Sequence, residues 1–169
     1  MAKQILILRH AKSDWSQGLQ DFERQLNDRG QKEAVLMGLV IKKLGIVPDL
    51  IMASPAKRAK LTANIVAKNC EYKSQIQWCQ DFYFGDENQI LAALQQLPDN
   101  IQRPMIVGHN ETLEILTSRL ASDGSLHIKL PTAAFASLNA PINNWKQLDF
   151  GMCELLGILT PKYVNKIVN

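Results

Sequence analysis

Cysteine is scarce in this chain: Cys70, Cys79 and Cys153 are all there is, odd in number and without CxxC spacing. That argues against a disulfide framework and a zinc site, and it suits a reducing cytoplasm, the expected location. Long apolar runs are missing too. The first, Ile5-Leu6-Ile7-Leu8, ends in Arg9-His10. It is too short for the apolar core of a signal peptide, and no run is long enough to span a bilayer. Charge of one sign is nowhere concentrated. The net charge is +3 with neutral histidines, and the densest basic run, Lys57-Arg58-Ala59-Lys60, is too short to be a polyanion stripe. Neither nucleic acid nor a membrane is expected as a partner. GxGxxG, GxxxxGK(S/T) and GxSxG are all absent, which disfavours dinucleotide-binding, P-loop and nucleophile-elbow chemistry. There is no internal repeat, no linker and no low-complexity tract.

What is present fits one domain spanning 1–169, with hydrophobic content of 46% and charged content of 21%, ordinary for a globular protein with a sizeable core. Gln4 to Leu8 is apolar on both parities, as a buried parallel strand should be. Trp15 to Asn27 is polar and irregular and reads as a loop. Asp28 to Leu44 carries Ala34, Leu36, Met37, Val40, Ile41 and Leu44 at helical spacing, with Gly45 as its stop. Asp49 to Ala53 reads as a second strand. Ser54-Pro55 reads as a helix start, Ser as N-cap and Pro at the first helical position, with the helix running to about Asn69. Ser74 to Cys79 is a weak third strand. Asp86 or Asn88 opens a helix to Leu97, and Pro104 to Val107 is a fourth strand. After the turn Gly108-His109-Asn110, Asn110 is a candidate cap for a helix from Glu111 to Leu120. Phe135 to Leu138 and Trp145 to Phe150 read as an antiparallel hairpin, with a short helix after Pro161. The alternation predicts a single-domain three-layer α/β/α sandwich whose central sheet is mostly parallel with a C-terminal hairpin.

In such a sheet, ligands bind beyond the carboxyl ends of the strands. The first strand runs into Arg9-His10, the fourth into Gly108-His109, and the second is followed by a helix start carrying Arg58. These groups can therefore converge, and a cleft of two guanidinium and two imidazole groups calls for an anion. Phosphoryl is the obvious one, because arginine forks pair bidentately with its oxygens and a helix start adds free N–H groups. One histidine can attack phosphorus while the other binds a non-bridging oxygen. The attacking ring must be neutral, with its second nitrogen held as N–H by a backbone carbonyl; cationic neighbours help by disfavouring an added proton. Each residue alone has an ordinary explanation. His10 can be a satisfied strand-end histidine, Ser54 a cap, Arg58 a solvated helix residue and His109 a turn residue. Their conjunction at strand ends carries the reading. His127, in the loop after Asp123-Gly124, has no such support and reads as structural or surface.

Leu8-Arg9-His10-Ala11-Lys12-Ser13 resembles the Arg-His motif of the histidine phosphatase superfamily (phosphoglycerate mutase-like), and in particular its short branch typified by SixA, a phosphohistidine phosphatase. Phe22 to Gly30 looks like that branch's segment ahead of the first helix. Ser54-Pro55, Arg58-Ala59 with Thr62-Ala63, and Val107-Gly108-His109-Asn110 match further motifs in order. Leu130-Pro131-Thr132-Ala133 resembles a Leu-Pro-Thr-Gly segment, with Ala133 where Gly is usual. The resemblance implies that His10 is the phosphoryl acceptor, that Arg9, Arg58 and His109 form the phosphate pocket, and that no metal or organic cofactor is needed.

The substrate is less determined. A phosphate ester expels an alkoxide and needs a general acid; Asp86 and Glu87, just before a helix, are candidates, as are Asp14 and Asp21. Phosphohistidine expels imidazole and needs less help, and the chain has no insertion large enough for a lid. A phosphorylated protein, possibly one with a phosphohistidine domain, is therefore the expected substrate and partner. The alternatives are a small-molecule phosphomonoesterase and a non-catalytic phosphate-binding module. Lys12, Ser13, Arg24 and Asp21 are candidate substrate contacts, though each also reads as loop surface or bracing.

Overall fold

The computed structural model describes residues 3–168. Its six-stranded sheet runs in the order β3 (Gln77–Trp78), β2 (Leu50–Ala53), β4 (Pro104–Gly108), β1 (Lys3–Arg9), β5 (Phe135–Ala140), β6 (Glu154–Leu159). The first four are parallel, with β1 flanked by β4 on one side. On its other side β1 pairs antiparallel with β5, which in turn pairs antiparallel with β6. The sheet is thus mixed, parallel at the centre and closed at one end by an antiparallel pair.

Alternate residues of each central strand feed opposite cores, as the two-residue period of a strand requires. Ile5, Ile7, Met52 and Ile106 face a core shared with α4 (Glu87–Gln95) and α5 (Thr112–Ala121). Leu6, Leu8, Ile51, Met105 and Val107 face a second core shared with α1 (Asp28–Lys43), α2 (Lys57–Asn69) and α6 (Pro161–Val168). Three layers follow directly from strands that are apolar on both parities. Among the described residues, no helix is long and apolar enough to cross a membrane.

Several boundaries differ from the sequence expectation, each for a local reason. The helix after β2 begins at Lys57, so Ser54 is not its N-cap and Pro55 is not its first residue. Ser54 continues the sheet edge instead, its N–H donating to Val107 O at 3.0 Å. Asn110 does not cap α5, which starts at Thr112 behind Glu111; its side chain is used elsewhere, as described below. Trp145 to Phe150 is not a strand. Trp145 opens a 3-10 turn, capped by a reciprocal Asn144–Gln147 pair. Trp145 and Leu148 are the buried positions there, three residues apart, the spacing of a 3-10 turn rather than of a strand. The hairpin's second strand is β6, further along the chain. A short helix, α3 (Asp81–Phe84), went unread between β3 and α4.

The loop after β1 is fastened to the start of α1. Asn27 N–H donates to Lys12 O at 3.0 Å, Asp14 N–H donates to Gln25 O at 2.8 Å, and the Asn27 side chain caps α1 by accepting from Gly30 N–H at 2.8 Å. Gly30 is required here by close approach: a methyl group built on it would lie on the Lys12 carbonyl oxygen and 2.9 Å from its carbon. Gly30→Ala is therefore expected to cost about 1–3 kcal/mol of stability, as overpacking against rigid backbone does. Gly157→Ala in β6, where a Cβ meets nothing within 4 Å, serves as the comparison. Denaturant unfolding of the two variants checks this, and equal midpoints would contradict it.

Candidate active site

His10 follows the last residue of β1, and its backbone is held from two directions. Its N–H donates to Gly108 O at 3.0 Å, and its carbonyl accepts from Ala133 N–H at 3.1 Å. Ala133 sits at φ +59°, in the left-handed region that favours glycine. The Leu130-to-Ala133 segment thus makes the turn a glycine would make, under strain of about 1–2 kcal/mol. Next along the chain, Ala11 N–H donates to Thr62 Oγ1 at 3.0 Å, and Thr62 donates to Arg58 O at 2.7 Å. The loop after β1 and the first turns of α2 are therefore one hydrogen-bonded unit.

The His10 ring is buried, with 7% of the residue exposed. Its Nδ1 lies 2.8 Å from Ala11 O. A carbonyl only accepts, so Nδ1 carries the proton and Nε2 keeps its lone pair. The His109 ring is 5.2 Å away, centroid to centroid, tilted by 54°. His109 follows β4, and its Nε2 is 2.8 Å from Ser54 Oγ, while its buried Nδ1 has no hydrogen-bond partner.

The guanidinium groups are braced from behind. Arg9 donates to Leu130 O at 2.9 Å. Asn110 donates to the same carbonyl at 2.9 Å and to Glu114 Oε1 at 2.8 Å, which also takes Leu130 N–H at 2.8 Å. Arg58 donates to the Asp21 backbone carbonyl at 2.6 Å and to its carboxylate at 3.0 Å. Asp21 also accepts from Arg24 at 2.9 Å and from the Tyr83 hydroxyl at 2.7 Å. Tyr83 in addition presents its ring edge-on to His109, at 5.6 Å. Burial works against the Asp21 carboxylate, but the Tyr83 hydroxyl and the Arg58 guanidinium outweigh it and hold the carboxyl below its usual range.

Both imidazoles are held neutral. Burial pushes His10 down to about 3, against the support of its bond to Ala11 O, with His109, Arg58 and Arg9 pushing the same way as burial. His109 falls to about 4, again by burial first and then by Arg58. The sequence reading credited the cations with this effect; the structure puts desolvation ahead of them. Burial raises all three cysteine thiols, Cys153 to about 11.

The residues expected at the site divide into two groups. Arg9, His10, Arg58 and His109 come together, and Asp21 and Arg24 join them through Arg58. Lys12 is exposed and Ser13 is buried within the bridge to Leu26. Asp86 is the N-cap of α4, accepting from Asn88 and Gln89 N–H. Glu87 pairs with Arg119 at 2.7 Å. Asp14 accepts from Ser16. The expected general acids are thus engaged in capping, pairing and turn formation. Tyr83, Ser54 as the partner of His109, and Glu114 were not foreseen. His127 is exposed on the loop after α5. No group of three or more His, Cys, Asp or Glu side chains among the described residues is arranged to hold a metal ion.

The model of the histidine phosphatase superfamily (branch 1) matches residues 5–82, the stretch from β1 to α3 that supplies Arg9, His10, Asp21 and Arg58. Over that stretch the chain is similar to that superfamily. A candidate SixA phosphohistidine phosphatase of Agrobacterium tumefaciens superposes with a TM-score of 0.78 at 26% identity, over 95% of this chain and 99% of that one. The protein histidine phosphatase SixA solved with tungstate shares the fold, with a TM-score of 0.83 at 21% identity and coverage of 95% and 99%. An uncharacterised protein of Mycobacterium leprae is 24% identical over 166 residues, covering 92% of this chain and 100% of its own length.

Depressed imidazole pKa values have a definite sign. Both histidines bind protons more readily in the unfolded chain, so their contribution to stability is full above the ordinary value near 6.5. It is lost as pH falls through about 4 and about 3. In an NMR titration of the free enzyme, the His10 and His109 ring resonances should stay at their neutral positions from pH 8 down to pH ~5. A His10 midpoint near 6.5 would contradict the site as described.

Proposed function

We propose that this protein removes the phosphoryl group from phosphohistidine in proteins, through a covalent intermediate on His10. The observation that carries the reading is the pinned tautomer of His10. Its Nδ1–H is given to Ala11 O, so Nε2 offers a lone pair beside His109, Arg9 and Arg58. In the first step that lone pair forms a bond to phosphorus as the bond from phosphorus to the substrate imidazole breaks. The leaving nitrogen keeps the electron pair and is protonated by water. In the second step water attacks phosphorus, the bond to Nε2 breaks, its electron pair returns to the ring, and inorganic phosphate departs.

Arg9 and Arg58 carry the non-bridging oxygens in both steps, where positioning and charge stabilisation supply most of the catalysis. With the Ser54 hydroxyl donating to His109 Nε2, the buried Nδ1 of His109 is a donor for the same oxygens. Asp21 keeps the Arg58 fork in place.

The choice of a P–N over a P–O bond is supported by the carboxylates. Asp21 accepts from three partners and is held ionised; Asp86 and Glu87 serve a cap and an ion pair. Each of these carboxylates is engaged in a structural bond rather than aimed at a leaving oxygen, and an imidazole leaving group needs less help from an acid. A phosphate displayed on a protein surface also suits a site with no covering insertion.

His10→Ala should lower turnover by about 10³-fold or more, as loss of a covalent nucleophile does. For the wild type, kcat/KM on a histidine-phosphorylated protein should exceed that on sugar phosphates and phosphoserine peptides by about 10²-fold or more, the lower end of what a missing general acid costs an ester. A sugar phosphate turned over faster than any phosphohistidine substrate would overturn the proposal in favour of a small-molecule phosphomonoesterase. Phosphate binding without turnover on any of these would leave only a binding module.

A further inference from the structure

Two large aromatic side chains stand in solvent beside the site. Trp15 is 74% exposed and Phe84 is 80% exposed. Neither belongs to either hydrophobic core. Burying such a side chain is worth about 1.5–3 kcal/mol, so fold stability gives no reason to keep them in water.

They are not isolated. The Trp15 ring carries the Arg24 guanidinium on its face at 3.5 Å. Arg24 bonds Asp21, and Asp21 bonds both Arg58 and the Tyr83 hydroxyl. The Tyr83 ring touches His109, and the Phe84 ring packs on it at 4.3 Å. Phe22 meets Tyr83 edge to face at 5.1 Å. A chain of contacts therefore runs from Trp15 to Phe84 through the partners of Arg58 and His109. Leu19, 44% exposed on the same loop as Trp15, extends the apolar character.

This continuity with the phosphate pocket decides the occupant. Whatever delivers a phosphoryl group to His10 arrives against this surface, and exposed apolar patches with Trp and Tyr are what protein partners bury. A free sugar phosphate has no apolar flank to offer them. We propose that Trp15 and Phe84 form the docking surface for the phosphoprotein substrate, gripping apolar side chains that flank its phosphohistidine. The inference rests on the phosphohistidine-protein function proposed above and adds the recognition rule for it.

The test uses two helical peptides carrying phosphohistidine, one with Leu or Phe three and four residues away and one with Ser there, together with phosphoramidate as a small P–N donor. Wild-type protein should prefer the apolar-flanked peptide by about tenfold in kcat/KM, the effect of one interface anchor. Trp15→Ala and Phe84→Ala should each erase most of that preference through KM, with phosphoramidate turnover and the unfolding midpoint unchanged. No preference in the wild type, or a preference that survives both substitutions, overturns the docking surface while leaving the phosphatase chemistry intact. Turnover of phosphoramidate but of neither peptide overturns the phosphohistidine-protein reading itself. A wild-type dimer in sedimentation that Phe84→Ala converts to monomer assigns the surface to a second copy of the chain and overturns the proposal as well.

Discussion

The site depends on one hydrogen bond, from His10 Nδ1–H to the carbonyl of Ala11. Without it, a ring flip would aim the Nε2 lone pair elsewhere, and a tautomer exchange would put the proton on Nε2. The bond holds because the backbone on both sides of it is immobile: His10 is tied to Gly108 and Ala133, and Ala11 to Thr62. Burial then keeps the ring neutral, so the nucleophile proposed above needs no base to deprotonate it. The cationic groups around it are tolerated because each is anchored to an acceptor behind it, Arg9 by Leu130 O and Arg58 by Asp21.

The same arrangement explains why a mixed α/β sheet suits the chemistry. Parallel pairing of β1, β2 and β4 brings their carboxyl ends to one edge. Each strand end then contributes one element: His10, Ser54 behind the second histidine, and the second histidine itself. The loops supply only braces. Asp21 comes from the loop after β1, Tyr83 from α3, and the Leu130 carbonyl from the segment before β5. All of these elements are short, and the whole site is assembled without a second domain.

The strand ends were legible in the sequence because buried parallel strands announce themselves as apolar on both parities, and Arg9-His10 and Gly108-His109 sit where such runs stop. Arg58 was legible through the helix that follows β2. The braces were not. Tyr83 meets Asp21 across 62 positions of sequence, and Ser54 meets His109 across 55; no local pattern encodes such pairs. Ser54 was read as a cap because a small polar residue before proline favours caps and turns equally. Trp145 to Phe150 fits a hairpin strand by its short link from Phe135 to Leu138, and over so short a span its apolar spacing fits a 3-10 turn as well. The depressed His10 pKa was expected for the wrong leading reason, since burial is invisible until the fold is known.

The central claim concerns a single nitrogen atom, and it is tested most directly by the linkage of the trapped phosphoryl group. Enzyme quenched during turnover and examined by ³¹P NMR and peptide mapping should carry an acid-labile phosphoryl group on Nε2 of His10. A phosphoryl group on Nδ1 of that ring, or on any other residue, would contradict the account.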